Sequence, residues 1–563
     1  MKRTLSIILA LCLLVCLFAG CGGEKQNDPK PTQSGSSISE GAINQNDESI
    51  RGADANNDNT IEKVTQLDSA PTNLDPTAMN NQGMNFLWEV YEMPYQLSGF
   101  GGDLVPVLAD GSKGSFKPGL DHEDGSSEYI LYIRKGITDH AGNEIKASDV
   151  VFSYDTIVNS GNARGMGTYE KCEVVDDYSV RLTFKRELYQ VGELTTYFAR
   201  VFFFSEKSYN DSPSGFVSDA CGTGPYKLAD YVIGSSMTLV KNEDYWCPAD
   251  EITCQIQAAN VETIEFVYAQ ETASQIVALK TGMAQFDNNL SLADAGDFQD
   301  GGEFDSQFNV YTYWDNLTTC LLPNCSDSSI MGDINMRLAI FYAVNAEGVV
   351  AGLAADVPGS YRTCYGMGNP NFPDFSPNWE TWENYQTVTD TEKAQEYLKA
   401  AGYNGQKLKI LAMAGDMETA ATVVLGMLDA AGISAEITLV DRSTQNAIKS
   451  DPAGWDISVE SWASSDFVVN VWDKVWGNHA KDGTVGTQYI ADEEFYDMCF
   501  NAKLVEGHTQ EAVDAVQQYI IEHAYAMGLA QRCAILVYPT NVTSLYMTDK
   551  NVPILGACSY AAE

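Results

Sequence analysis

Basic side chains are scarce in this 563-residue chain: 34 Lys and Arg stand against 77 Asp and Glu, a formal net charge of −43. So acidic a surface repels phosphate backbones and anionic headgroups, which excludes nucleic acid as a natural partner. Histidine is scarcer still. His122, His140, His479, His508 and His523 make up the whole set; none lies in an H-E-x-x-H pattern, and no two have the helical spacing of metal ligands. No C-x-x-C pair occurs and no Cys/His cluster has zinc spacing, so neither a metal site nor a cofactor is expected. Also missing are a G-x-S-x-G elbow, a phosphate-cradling glycine loop, and a G-x-G-x-x-G after a strand. Carboxylates are too numerous for any one Asp/Glu pair to mark a glycosidase dyad. Repeats of roughly 20–50 residues are absent, which removes solenoids and propellers. No catalytic residue is assigned.

Long apolar runs are lacking too, apart from one at the start. Lys2 and Arg3 precede a run from Leu5 to Phe18. It is shorter than the ~20 residues that cross a bilayer and has the layout of a signal-peptide core. The next residues, Phe18-Ala19-Gly20-Cys21, resemble a bacterial lipobox, in which the cysteine is lipidated and becomes the new N-terminus; Phe18 stands where Leu is usual. That resemblance implies a signal peptide over residues 1–20 and a palmitate-bearing lipid on Cys21, the other reading being an ordinary secretory signal. Removing 1–20 takes away two positive charges and no negative one, so the mature chain is more acidic still. From Gly22 to Thr60 the sequence is Asn, Asp, Gly, Ser and Gln with scattered apolar residues. Such a stretch cannot bury enough surface to offset the entropy of ordering. Residues 21–60 are therefore expected to form a flexible tether, with a random-coil reach of ~35 Å.

The body is ordinary globular material, 44% hydrophobic and 20% charged. At roughly 150 residues per domain its length suggests three to four domains' worth of mass. Tyr129 to Ile133 and Glu262 to Tyr268 read as strands. Asp149 to Ile157 reads as a helix that Ser148 or Asp149 could cap, and Ala273 to Lys280 as another closed by Gly282. Thr389 and Glu392 form a capping box before the stripe Ala394, Tyr397, Leu398 and Ala401, with Gly402 ending it. A strand over Leu408–Met413, a helix over Ala420–Ala431 and a strand over Ile433–Val440 follow, and this β/α alternation argues for a mostly parallel sheet covered by helices. Ten cysteines remain beyond Cys12, Cys16 and Cys21. Cys247 with Cys254, and Cys320 with Cys325, are close enough for local disulfides, or all are buried thiols.

Aromatic residues are plentiful: nine Trp, 29 Tyr and 22 Phe. Trp455, Trp462, Trp472 and Trp476 crowd one stretch beside a strand-like Trp455–Val459. They are either core or the rigid walls of a ligand cleft.

Several ordered segments resemble the large solute-binding lipoproteins of bacterial ABC importers, family 5, which includes oligopeptide and dipeptide receptors. They are Asn73–Pro76, Val90–Glu92, Leu104–Ala109, and the block Tyr129–Gly136 continuing through Gly142–Tyr154, although Thr138-Asp139-His140 lacks the usual Phe. Gly222–Lys227, Asn242–Trp246, Ala278–Gly282 with Asp287, Met336–Ala339 leading to Tyr342–Asn345, and Thr389–Gly405 follow in order. The resemblance spans Asn73 to near the C-terminus.

The fold class it implies is α/β: a periplasmic-binding-protein-like clamshell, two α/β lobes joined by a hinge plus an extra lobe. The implied boundaries are 61–95 and 205–305 for lobe I, 96–204 for the extra lobe, 306–524 for lobe II, and 525–563 for a return to lobe I. In peptide-binding members a Trp lies three residues before an Asp that pairs with the ligand's α-amino group. Here Trp462 matches, the third residue on is Ser465, and the acid is Asp466. Either a local bulge restores Asp466 to the site or the ligand lacks an amino terminus. The function implied is a lipid-anchored receptor on the extracytoplasmic face of the cell membrane, periplasmic where an outer membrane exists. It would be a monomer that catalyses nothing and passes a peptide to permease subunits with cytoplasmic ATPases. The alternatives are an oligosaccharide receptor of the same family, a receptor kept for sensing, and an exported hydrolase.

Overall fold

Two unusually long strands tie the molecule together. The computed structural model describes residues 61–561 except 79–82, 99–101, 114–116, 122–125, 161–165, 382–388, 464–465 and 477–485. Cys21 and the proposed tether lie outside the described residues.

The strands of the large sheet, in chain order, are β1 (Ile61–Asp68), β2 (Tyr226–Val232), β3 (Ser236–Lys241), β4 (Val261–Tyr268), β5 (Phe286–Asp287), β6 (Phe308–Pro323), β7 (Tyr361–Thr363), β8 (Leu408–Ala412), β9 (Ala435–Leu439), β10 (Ile457–Ala463) and β11 (Met527–Pro539). Across the sheet they lie in the order β9-β8-β10-β6-β11-β5-β1-β4-β3-β2, with β7 also on β11. β6 has 16 residues and β11 has 13, against a usual strand of about five or six. They pair antiparallel from Phe308↔Pro539 to Leu321↔Met527, and the register shifts between Trp314 and Thr318. An extra residue in one strand bends it and raises its twist. Below that irregularity β6 and β11 belong to the half-sheet of β5, β1 and β4; above it they carry β10, β8 and β9. This is the mixed α/β clamshell architecture, with β6 and β11 crossing between the two halves.

The two halves have separate cores. Val64, Ile264 and Phe266 of the first half-sheet share one apolar cluster with Tyr129, Leu182 and Phe184 of a four-stranded sheet and with Leu545 and Ile554 of the C-terminal hairpin. In the second half, β10 divides two clusters. Ile457 and Val459 face Ile410, Val424 and Leu428, while Trp472, Trp476 and Phe495 fill the opposite face. The pairs β8/β9 and β8/β10 are parallel, as the β/α alternation requires.

Helix starts differ from the sequence reading by one to four residues, most at the helix expected from Ala420, which begins at Asp416. The helix at Ala147–Asn159 has Lys146 at its N-cap, and Asp149 receives the Lys146 N–H from inside the first turn at 2.9 Å. The helix at Thr391–Ala400 is capped by Asp390, which takes the Lys393 N–H at 2.9 Å. Thr389 is already engaged there, its hydroxyl accepting from Asn345 Nδ2. Gly402 does close that helix, at φ +65°. Cys247, Cys254, Cys320 and Cys325 are all free thiols. Among the described residues no single helix is long and apolar enough to cross a membrane. One bent pair, Ile334–Ala343 with Ala346–Leu353, meets length and composition together, and its Ala339, Ile340 and Val349 are core residues.

Candidate ligand-binding site

Strand direction singles out one candidate region. β1, β4 and β5 are parallel to one another, and β11 is antiparallel to both β5 and β6. These strands therefore run toward the Trp314–Thr318 crossing. β10 is antiparallel to β6, and β8 and β9 run with β10, so they approach the same crossing from the other half. Both half-sheets thus present carboxyl ends to one region, where open α/β sheets bind ligands.

Trp462 sits there. It is the penultimate residue of β10 and lies opposite Thr318, which in turn faces Gln531 of β11. Its ring is partly buried against the Trp472–Phe495 cluster, and its indole nitrogen is buried with no hydrogen-bond partner. The other tryptophans of the stretch are different: Trp455, Trp472 and Trp476 are at most 1% exposed. The aromatic concentration is mostly core, with Trp462 at its edge.

Asp466 follows the end of β10 and is 4% exposed. Arg200 Nη2 donates to its Oδ1 at 3.4 Å and to Asp549 Oδ2 at 2.7 Å. The loop bearing Asp466 is pinned by Asp374, which accepts the Val468 and Val469 N–H groups at 2.7 and 3.3 Å. Burial pushes the Asp374 carboxyl up, and those N–H donors and His508 pull it partly back. On the other side lies Gly192, at φ +78°; a Cβ there would meet Asn470 Nδ2 at 2.5 Å and Asp466 Oδ2 at 3.5 Å. Beside it the backbone bridges to the second half: Val191 N–H donates to Lys503 O at 2.9 Å and Val505 N–H to Tyr189 O at 2.7 Å. The segment 189–200 therefore packs directly on the Asp466 loop.

The crossing itself is polar. Gln531 Nε2 donates to Asp315 O at 2.6 Å and to Asn369 Oδ1 at 2.9 Å, and Arg362 Nε donates to Gln531 Oε1 at 2.7 Å. Burial raises the Asp315 carboxyl to about 6, with Arg532 pulling the other way from 3.2 Å. In the first half, burial raises Asp68 to about 7 and Asp287 to about 6. Asp287 accepts the Asn289 and Leu290 N–H groups through Oδ1 while its Oδ2 is unpartnered. Glu92, fully buried, accepts from Tyr245 and Trp246 at 2.6 and 2.8 Å. Sequence reasoning used Asp287 and Glu92 only as marks of resemblance. It missed Arg200, Asp549 and Asp374 altogether, because none lies in a motif. A surface groove of about 310 Å³ beside Arg134 and Glu251 is lined by none of these residues.

The family model described as bacterial extracellular solute-binding proteins, family 5 (middle part), matches residues 103–472. The chain belongs to that family. Its relatives include a protein of Agrobacterium fabrum named "Probable peptide-binding protein YejA", 23% identical over 429 residues, 66% of this chain and 68% of that one. Among solved structures, the oligopeptide-binding protein AppA of Bacillus subtilis in complex with a nonapeptide is 17% identical with a TM-score of 0.65, covering 90% of this chain and 100% of that one. AgaA of Agrobacterium tumefaciens R10 in complex with agropinic acid is 18% identical with a TM-score of 0.66, covering 89% and 99%. At these identities the structures establish the fold. The family is one of substrate-binding proteins of ABC importers, acting outside the cytoplasm, and family membership places the chain among solute binders.

Proposed function

We propose that this protein is a lipid-anchored receptor that captures peptides with a free amino terminus between its lobes and delivers them to an ABC permease. The observation that carries this reading is Asp466. It is a buried carboxylate just beyond the carboxyl end of β10, four residues after the partly buried Trp462, and its ion pair with Arg200 is long, the one such pair it makes among the described residues. A buried charge so weakly compensated is costly, and a ligand ammonium would supply what Arg200 does not. The peptide-binding name of the Agrobacterium fabrum relative and the nonapeptide in the Bacillus subtilis structure support the same ligand class.

In this reading residues 61–95, 205–305 and 525–563 form lobe I, 96–204 the extra lobe and 306–524 lobe II. The lobes close by bending at the β6–β11 crossing. Cys21 carries the lipid, residues 21–60 act as the tether, and tethering raises the local concentration at the permease without new contacts. The protein works as a monomer and catalyses nothing.

One observation favours a second ligand. The buried, unpartnered indole N–H of Trp462 and its ring would also suit an oligosaccharide, whose hydroxyls accept such a donor. Mass spectrometry of ligands carried through native purification separates the two. Peptides released on denaturation support the proposal, and sugars in their place overturn it.

A further inference from the structure

Arg200 is shared unequally between two acids. Its Nη2 lies 2.7 Å from Asp549 Oδ2 but 3.4 Å from Asp466 Oδ1. Asp549 is fully buried and is also approached by Gln96 Nε2 at 3.4 Å. Arg200 is 14% exposed at its side chain. One guanidinium thus serves two buried carboxylates, leaving the group with one net negative charge. Asp549, on the loop after Met547, and Arg200, at the end of the 189–200 segment, meet on one side; Asp466 stands across from them on the loop after β10.

We propose that Asp549 holds Arg200 back from Asp466, and that this unequal sharing is what selects ligands bearing an amino terminus. Asp549 is a positioning residue and Arg200 a specificity-determining one; the inference rests on the reading of Asp466 as the ammonium acceptor. Charge balance underlies the selection. With Asp549 present, Arg200 is largely neutralised and Asp466 retains an attractive field, so an arriving ammonium brings the group to zero. Without Asp549, Arg200 would turn fully to Asp466, neutralise it, and make the incoming ammonium an unpaired positive charge. Without Arg200, two carboxylates face the ammonium and attraction rises.

The test uses the full chain and two probes: a randomised pentapeptide mixture with free amino termini, and the same mixture N-acetylated. Peptide retained through gel filtration is quantified by mass spectrometry, and circular dichroism checks folding. Wild type is expected to prefer the free-amine mixture. Asp549→Asn should reduce that preference about tenfold, Arg200→Met should raise it about threefold, and the double variant should return it near wild type. A purely structural role for Asp549 would not be rescued by deleting Arg200. If wild type prefers the free amine but Asp549→Asn keeps that preference, the inference is overturned while the Asp466 reading stands. If wild type shows no preference, the Asp466 reading fails and takes the inference with it. Should Asp549→Asn not fold, Arg200→Met decides: a raised preference supports the proposal, and an unchanged or lowered one overturns it.

Discussion

Lys449 Nζ lies 2.5 Å from Glu460 Oε1, with both side chains at most 4% exposed. Lys449 ends the helix Arg442–Lys449, and Glu460 sits on β10 two residues before Trp462. The pair therefore clamps that helix to the strand that carries Trp462.

Breaking a buried pair leaves an uncompensated charge, which costs about 3–5 kcal/mol. Arg442 Nη1 stands 3.5 Å from the other Glu460 oxygen and offsets part of this. Lys449→Met should therefore cost about 3 kcal/mol in urea unfolding. Lys449→Met with Glu460→Gln should recover most of the loss, since removing both charges of a buried pair is often tolerated. Equal losses in the single and double variants would show that the pair is not what the helix depends on.

Stability should fall as pH rises from about 4.5 to about 7, because of Glu89. Burial raises its carboxyl to about 7; Gly556 N–H donates to one oxygen at 3.1 Å, and the other has no partner. The folded pKa lies above the unfolded one, so the folded state holds the proton longer. Stability is greatest below the unfolded value and declines through the folded one. The shift corresponds to about 3 kcal/mol for the ionised form. Glu89→Gln should be nearly neutral at pH 5 and stabilising at pH 8, read as the difference in melting temperature. A variant less stable at both pH values would mean that Glu89 is ionised and paired in the native protein.

Much of the fold was legible because hydrophobic period and punctuation agree with the tertiary structure. The strand at Val261–Tyr268 and the helix closed by Gly282 stand where β-branched runs and a left-handed glycine place them. Caps were less legible. Thr389 is a sound capping residue in isolation, but Asn345, 44 positions away, claims its hydroxyl and the cap passes to Asp390. The site was half legible. Trp462 could be named, yet nothing local says that Trp455, Trp472 and Trp476 face the core, since an aromatic run looks alike on either face. Arg200 was invisible for a stronger reason: 266 positions separate it from Asp466 and 349 from Asp549, and only the fold brings them together.

Replacing Cys21 by Ala should release the protein from the membrane fraction without altering its unfolding transition. A polar segment lies between Cys21 and the strand at Ile61, so losing the lipid should leave the core untouched. Intact-mass measurement should show a lipid on the mature wild-type N-terminus. An unmodified N-terminus elsewhere would reject the anchor.

Trp462→Ala and Asp466→Asn together discriminate the ligand classes. Truncating Trp462 removes ring contact that peptide and sugar would both use, so binding should weaken by roughly 1–3 kcal/mol in either case. Asp466→Asn removes a charge that only an ammonium needs, so a free-amine peptide should lose roughly 2–4 kcal/mol and a neutral sugar little. Folding must be checked in each, because Asp466→Asn also releases Arg200, although Asp549 continues to hold that guanidinium at 2.7 Å. Titration calorimetry with a ligand identified from the native protein reads both values. Loss in both variants supports the amino-terminus reading, and loss in Trp462→Ala alone points to an uncharged ligand. Wild-type affinity in both would place the site elsewhere along the carboxyl ends of the two half-sheets, with Asp68 and Asp287 as the next acids to replace.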